Sequence, residues 1–383
     1  MTGAGLPIYL DYNATTPIHP AVVDAMLPYL REHFGNPSSG HIYGRRAKAA
    51  VERAREQVAS LLGFGCQPDE ILFTSGGTEA NNLAIRGVLA LSAGRRHIVT
   101  SAVEHPATVR PCELLEGEGV EVTRLPVDSD GRVDASMAQG VVRGDTALVT
   151  VMLAQNETGT LMPVAELARL AHERGALIHT DAAQAVGKIP TRVDELGVDL
   201  MSIAGHKLYA SKGVGALYVR RGVRLAPLLV GAGHERGLRP GTENVAAIVG
   251  LGAACELAAD LEAEANRQRA LRDALWASLS AAVPGLRLNG HPTERLPNTL
   301  NVSFPDVHGS AVLAAAPEVA ASTGSACHAG AETPSAVLTA MGIDAPTALG
   351  AVRLSLGRFA TREQVDAAAQ ALVGAWRRAR ELG

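Results

Sequence analysis

Ala176-Leu177-Ile178-His179-Thr180-Asp181 and Asp199-Leu200-Met201-Ser202-Ile203-Ala204-Gly205-His206-Lys207 decide the fold. Each is a short apolar run of strand length closed by polar residues. Working outward, similar runs occur at 69–74, His97 to Ser101, 120–125, Ala147 to Leu153 and Gly215 to Val219. Helical patterns lie between them, Glu79 to Leu91 and Val164 to Arg174 being the clearest. Strand–helix alternation over this span predicts an α/β layer fold with a largely parallel sheet. After the Gly- and Arg-rich stretch 231–244, an Ala/Leu/Glu/Arg pattern from Val245 to about Ala282 predicts one long helix linking two domains. Pro297 to Phe304, Ala351 to Leu356 and Glu363 to Leu382 suit a smaller α+β domain. The expected division is 15–260 for the large domain, with 1–14 and 261–383 forming the small one.

The chain has 383 residues, 47% of them hydrophobic, enough for a sizeable core. Its net charge of −4 gives no general attraction to nucleic acid or anionic membrane. Residues 1–6 lack the apolar core of a secretory signal, and no apolar run is long enough to span a bilayer. The four cysteines, Cys66, Cys112, Cys255 and Cys327, are widely spaced, which disfavours a zinc site or a disulfide framework. A cytoplasmic setting is expected. There are four lysines, Lys48, Lys188, Lys207 and Lys212, and a reaction needing a neutral amine must use one of them.

Lys207 follows a buried strand, where desolvation lowers an amine pKa and suits it to Schiff-base chemistry. An ordinary turn lysine would read the same way in isolation. Asp181 ends the neighbouring run, at the side of an open α/β sheet where ligands bind. It can pair with a protonated pyridine nitrogen, or simply cap a helix. In Thr74-Ser75-Gly76-Gly77-Thr78-Glu79 two glycines precede a helix whose free N–H groups can hold a phosphate. An amine, a carboxylate and a phosphate cradle on strand ends make a coherent pyridoxal-phosphate site. His105 could stack on the cofactor ring and shuttle protons. Arg353, inside the apolar strand Val352 to Leu356, needs a partner, either a substrate carboxylate or a structural acid. Cys327 lies among small residues, Ser322 to Ala331, which suit a mobile loop with an exposed thiol.

These motifs, in this order, resemble the cysteine desulfurase family of pyridoxal-phosphate enzymes. The likeness runs from 9–17, YLDYNATTP, to 353–358, RLSLGR. It includes 35–39, GNPSS; 156–159, NETG; 233–236, GHER; and 239–244, RPGTEN. It implies the fold-type I architecture and a homodimer. It implies that Lys207 carries the cofactor, Asp181 holds its ring nitrogen and Gln184 its ring hydroxyl, with His105 stacked above. Gly77, Thr78 and His206 would bind phosphate, with Thr242 supplied by the partner subunit. Asn13, Asn156 and Arg353 would bind L-cysteine, and Cys327 would take its sulfur as a persulfide, leaving alanine. The segment around Cys327 resembles the group that feeds iron–sulfur assembly and tRNA thiolation. The whole match is also similar to desulfurases of DNA phosphorothioation. An acceptor protein for the sulfur is therefore expected, with no direct nucleic-acid or membrane binding.

Three positions depart from the family pattern. Ala204 stands where Ser is common, removing one phosphate hydroxyl. The turn 209–213 reads YASKG, and Cys327 is followed by His328-Ala329-Gly330-Ala331. Alternatives are a selenocysteine lyase, another β-eliminating or transaminating enzyme, or a non-catalytic scaffold.

Overall fold

The computed structural model describes residues 5–92, 94–323, 326–328 and 331–382. Its centre is a seven-stranded sheet made of β1 (Ile71–Thr74), β2 (His97–Ser101), β3 (Glu121–Leu125), β4 (Thr146–Thr150), β5 (Leu177–Asp181), β6 (Leu200–Ala204) and β7 (Gly215–Val219). In space the order is β1-β7-β6-β5-β4-β2-β3, and only β7 runs against its neighbours. The sheet is thus mixed and mostly parallel.

Period-two alternation explains how the sheet is buried on both faces. Phe73, Val99, Val149, Ile178 and Met201 join the core on one face. Leu72, Ile98, Leu148, Leu200 and Leu217 join the core on the other. Every parallel strand, and β1 with them, ends on the same side. Those ends and the loops leaving them carry most of the site residues, as expected for an open α/β sheet, while Asn13 and Arg353 come from outside it.

A third core contains Leu10, Leu275, Leu279, Leu300, Val302, Val352, Leu354, Leu372 and Trp376. It is built on a three-stranded antiparallel sheet, Arg287–Asn289, Thr299–Ser303 and Ala351–Ser355. Val337, Leu338, Met341 and Ile343 nevertheless pack with the first core.

The expected single helix over 245–282 is two helices, Val245–Leu257 and Leu261–Ala282. The composition shifts at the break. The first helix is apolar nearly all round and packs in the first core, while the second carries Leu271, Leu275 and Leu279 into the third. One straight helix could not serve both. The segment read as a loop around Cys327 also has regular structure: Ala326–His328 pairs antiparallel with Ala331–Thr333, and Cys327 opposes Glu332. The Cys327 side chain lies outside the described residues.

Candidate active site

A cavity of about 310 Å³ opens at the strand ends. Asn13, Gly77, Thr78, His105, Asn156, Asp181, Gln184, His206, Lys207 and Arg353 line it, with Ala183 and Ala204. These are the residues singled out in the sequence except Thr242 and Cys327. Thr242 is exposed and lines a different hollow, beside His234 and Glu235.

β1 delivers the cavity's anion-holding end. After Thr74 the chain turns at Gly76, whose φ of +152° favours glycine, and enters helix α1 (Gly77–Leu91). No side chain caps that helix, so its first N–H groups are available to an anion. A Cβ on Gly77 would sit 3.3 Å from the Ala204 Cβ. The absent side chain keeps the cradle open, and Ala204 closes its floor without a hydroxyl.

β5 delivers Asp181, 8% exposed. Its Oδ1 accepts from the Ala183 N–H at 2.9 Å and its Oδ2 from Asn81 Nδ2 at 2.7 Å. Asn81, on α1, escaped the sequence reading. Its only signal was an Asn among the buried apolar positions Ala80, Leu83 and Ala84.

β6 ends at Ala204, and the turn Gly205–Lys207 swings Lys207 into the cavity. Of the four lysines, Lys207 alone lines it. Burial holds its amine below the ordinary value; Asp181 opposes that shift, and Arg353 adds to it. The Nζ makes no hydrogen bond to a described residue and is free for covalent chemistry.

His105 follows β2 and caps helix α2 (Pro106–Gly117), its Nδ1 accepting from the Ala107 N–H at 3.1 Å. In the neutral ring the proton therefore sits on Nε2. Burial, then the charge of Lys207, lowers its pKa and keeps the ring neutral. Burial also lowers His206 to about 4, and its Nδ1 lies 3.2 Å from Thr15 Oγ1.

Both readings of Arg353 find support. Its Nη2 pairs with Asp11 Oδ1 at 2.8 Å and its Nη1 donates to the Asn156 carbonyl at 3.1 Å. Its buried Nε has no partner among the described residues. A structural acid thus positions the guanidinium, which keeps further N–H donors beyond these two bonds. Asn13 lines the cavity, but its side chain is engaged. Its Nδ2 donates to Thr299 Oγ1 at 2.8 Å, and its Oδ1 accepts from Asn298 Nδ2 at 3.0 Å and Lys188 Nζ at 3.1 Å. Next to His105 in the chain, Glu104 is buried. It accepts from Ser101 Oγ at 2.5 Å and from the Met152 N–H, and burial pushes its carboxyl up to about 8.

Cys66, Cys112 and Cys255 are buried, and desolvation pushes each thiol up to about 12. Such thiols are poor nucleophiles at neutral pH.

The class-V aminotransferase family matches residues 8–368. A cysteine desulfurase of Nostoc sp. is 49% identical over 362 residues, covering 94% of this chain and 90% of the relative. Among solved structures, a NifS-like protein superposes with a TM-score of 0.90 at 38% identity, covering 96% of this chain and 99% of its own. DndA from Streptomyces lividans superposes with a TM-score of 0.77 at 41% identity, covering 89% and 97%. The chain belongs to the class-V aminotransferases, pyridoxal-phosphate enzymes of fold type I. Within them it is a cysteine desulfurase. The cavity fits that cofactor: an uncapped helix start and an open Gly77 for phosphate, a buried carboxylate for the ring nitrogen, and a lysine with a free Nζ.

Proposed function

We propose the following division of labour for L-cysteine desulfuration. Lys207 holds the cofactor and moves the substrate's Cα proton. Asp181, fixed by Asn81 and the Ala183 N–H, keeps the ring nitrogen protonated. The α1 N-terminus at Gly77 and Thr78 holds phosphate together with His206. Pyridoxal phosphate supplies the electron sink that allows the substrate's C–S bond to break. The Arg353 guanidinium and Asn156 take the substrate carboxylate. His105 stacks on the ring and, with its proton on Nε2, serves acid–base steps. The Cys327 thiolate attacks the substrate sulfur, forming an S–S bond as the C–S bond breaks. The electron pair passes to the substrate carbon, which is protonated to alanine.

The observation that carries this reading is the convergence of Lys207, Asp181 and the uncapped start of α1 on one cavity. The burial of Cys66, Cys112 and Cys255 supports Cys327 as the sulfur carrier. The exposure of Thr242, outside the cavity of its own chain, supports a homodimer in which Thr242 of the partner subunit completes the phosphate site. The sulfur passes on to an acceptor protein. Persulfide transfer to candidate proteins of iron–sulfur assembly, tRNA thiolation and DNA phosphorothioation would identify it. No helix among the described residues is long and apolar enough to cross a membrane.

The test uses Cys327→Ala. Wild-type protein should form alanine and a persulfide from cysteine, whereas the variant should form neither. Full sulfide release by the variant with a thiol reductant would overturn the assignment.

A further inference from the structure

Lys188 is a buried amine that the division of labour above leaves unused. It sits at the end of the turn that follows β5. Gly187, at a φ of +75°, makes that turn possible, since a Cβ there would meet Leu208 Cδ1 at 2.0 Å. The turn brings Lys188 back beneath Gln184. Its Nζ donates to Gln184 Oε1 at 2.8 Å and to Asn13 Oδ1 at 3.1 Å. Gln184 Nε2 in turn donates to the Asn13 carbonyl at 2.9 Å. Gln184, Lys188 and the distant Asn13 thus close a hydrogen-bonded triangle at the edge of the cavity. Asn298 and Thr299 anchor its Asn13 corner.

We propose that Lys188 is a positioning residue that fixes the Gln184 carboxamide so that its remaining N–H faces the ring hydroxyl of bound pyridoxal phosphate. An amide normally can flip, exchanging its oxygen and nitrogen. Here a flip would set Oε1 against the Asn13 carbonyl oxygen and take an acceptor from Lys188. Each contact would lose its donor–acceptor match in a buried site, where an unmatched polar group is costly. The charges acting on Lys188 are those of Lys207 and Arg353, both positive, and with burial they hold the amine well below its ordinary pKa. Its two acceptors, Gln184 Oε1 and Asn13 Oδ1, take N–H donors from Nζ whether the amine is charged or neutral. Lys188 therefore serves as a hydrogen-bond clamp.

The inference rests on the reading that Gln184 faces the ring hydroxyl, and the test separates the two. The visible spectrum of the holoenzyme titrates as the nitrogen joining Lys207 to the cofactor loses its proton. The ring oxygen then loses its internal donor, and an N–H from Gln184 favours that state. Losing the N–H should raise the titration midpoint by about one pH unit. Gln184→Leu and Lys188→Met should both show the rise. The double variant should match either single variant, because they remove one shared interaction. If Lys188→Met does not fold, Lys188→Gln keeps a shorter donor and should give a smaller rise. A rise in Gln184→Leu with none in the Lys188 variants, or additive shifts in the double variant, would overturn the clamp alone. An unmoved midpoint in Gln184→Leu would overturn the Gln184 reading together with the clamp.

Discussion

Asn81 Nδ2 donates to Asp181 Oδ2 at 2.7 Å, joining the helix that begins at the phosphate cradle to the carboxylate proposed for the ring nitrogen. Both ends of the cofactor site are thereby set by one buried contact. Asn81→Leu would leave Asp181 Oδ2 without its side-chain donor. A hydrogen bond to a charged group is worth about 1.5–3 kcal/mol. Cofactor affinity should fall roughly tenfold or more, read by equilibrium titration of apoprotein.

Glu104 is expected to make stability depend on pH. Its folded-state pKa of about 8 lies above the ordinary 4.5, with burial the leading cause. The folded protein therefore holds a proton that the unfolded chain gives up sooner. The associated stability is fully present below the unfolded value and is lost as pH rises through about 8. Glu104→Gln keeps the shape without the titration. Its melting temperature should gain on wild type between about pH 5 and about pH 8, the span between the unfolded and folded values. A constant difference across that range would contradict the assignment.

Arg353 and Asp11 should separate binding from scaffolding. Arg353→Lys loses the planar donor fork. The KM for cysteine should rise by about one to two orders of magnitude, with the cofactor spectrum unchanged. Asp11→Asn keeps the guanidinium but weakens the pair at 2.8 Å. It should lower the melting temperature and raise KM less.

The cysteines give a direct contrast. Cys66, Cys112 and Cys255 are buried thiols held far above neutral pH. Brief alkylation of native protein followed by peptide mapping should label Cys327 ahead of all three. Cys255→Ala should keep its turnover.

Much of this was legible in the sequence because the relevant signals are local. Apolar runs from Ala176 to Thr180 and from Asp199 to Ile203 mark strands of a sheet buried on both faces, and Asp181, His206 and Lys207 follow them in the chain. His97–Ser101 and Gly215–Val219 match their expected bounds. What escaped depends on contacts between distant segments. Asn81 meets Asp181 across 100 positions, and Lys188 meets Asn13 across 175. Neither pair leaves a periodic trace. The break between Leu257 and Leu261 was hidden because helix-forming residues run through it, and only the change of core reveals it.

The central claim is that Lys207, out of four lysines, carries the cofactor. Two of them, the part-buried Lys207 and the buried Lys188, have amines with lowered pKa, so the claim can fail in a specific way. Borohydride reduction of the yellow holoenzyme, followed by peptide mass mapping, fixes the cofactor to its lysine. A phosphopyridoxyl group on Lys207 is the result expected. Its recovery on Lys188, Lys48 or Lys212 would contradict the account.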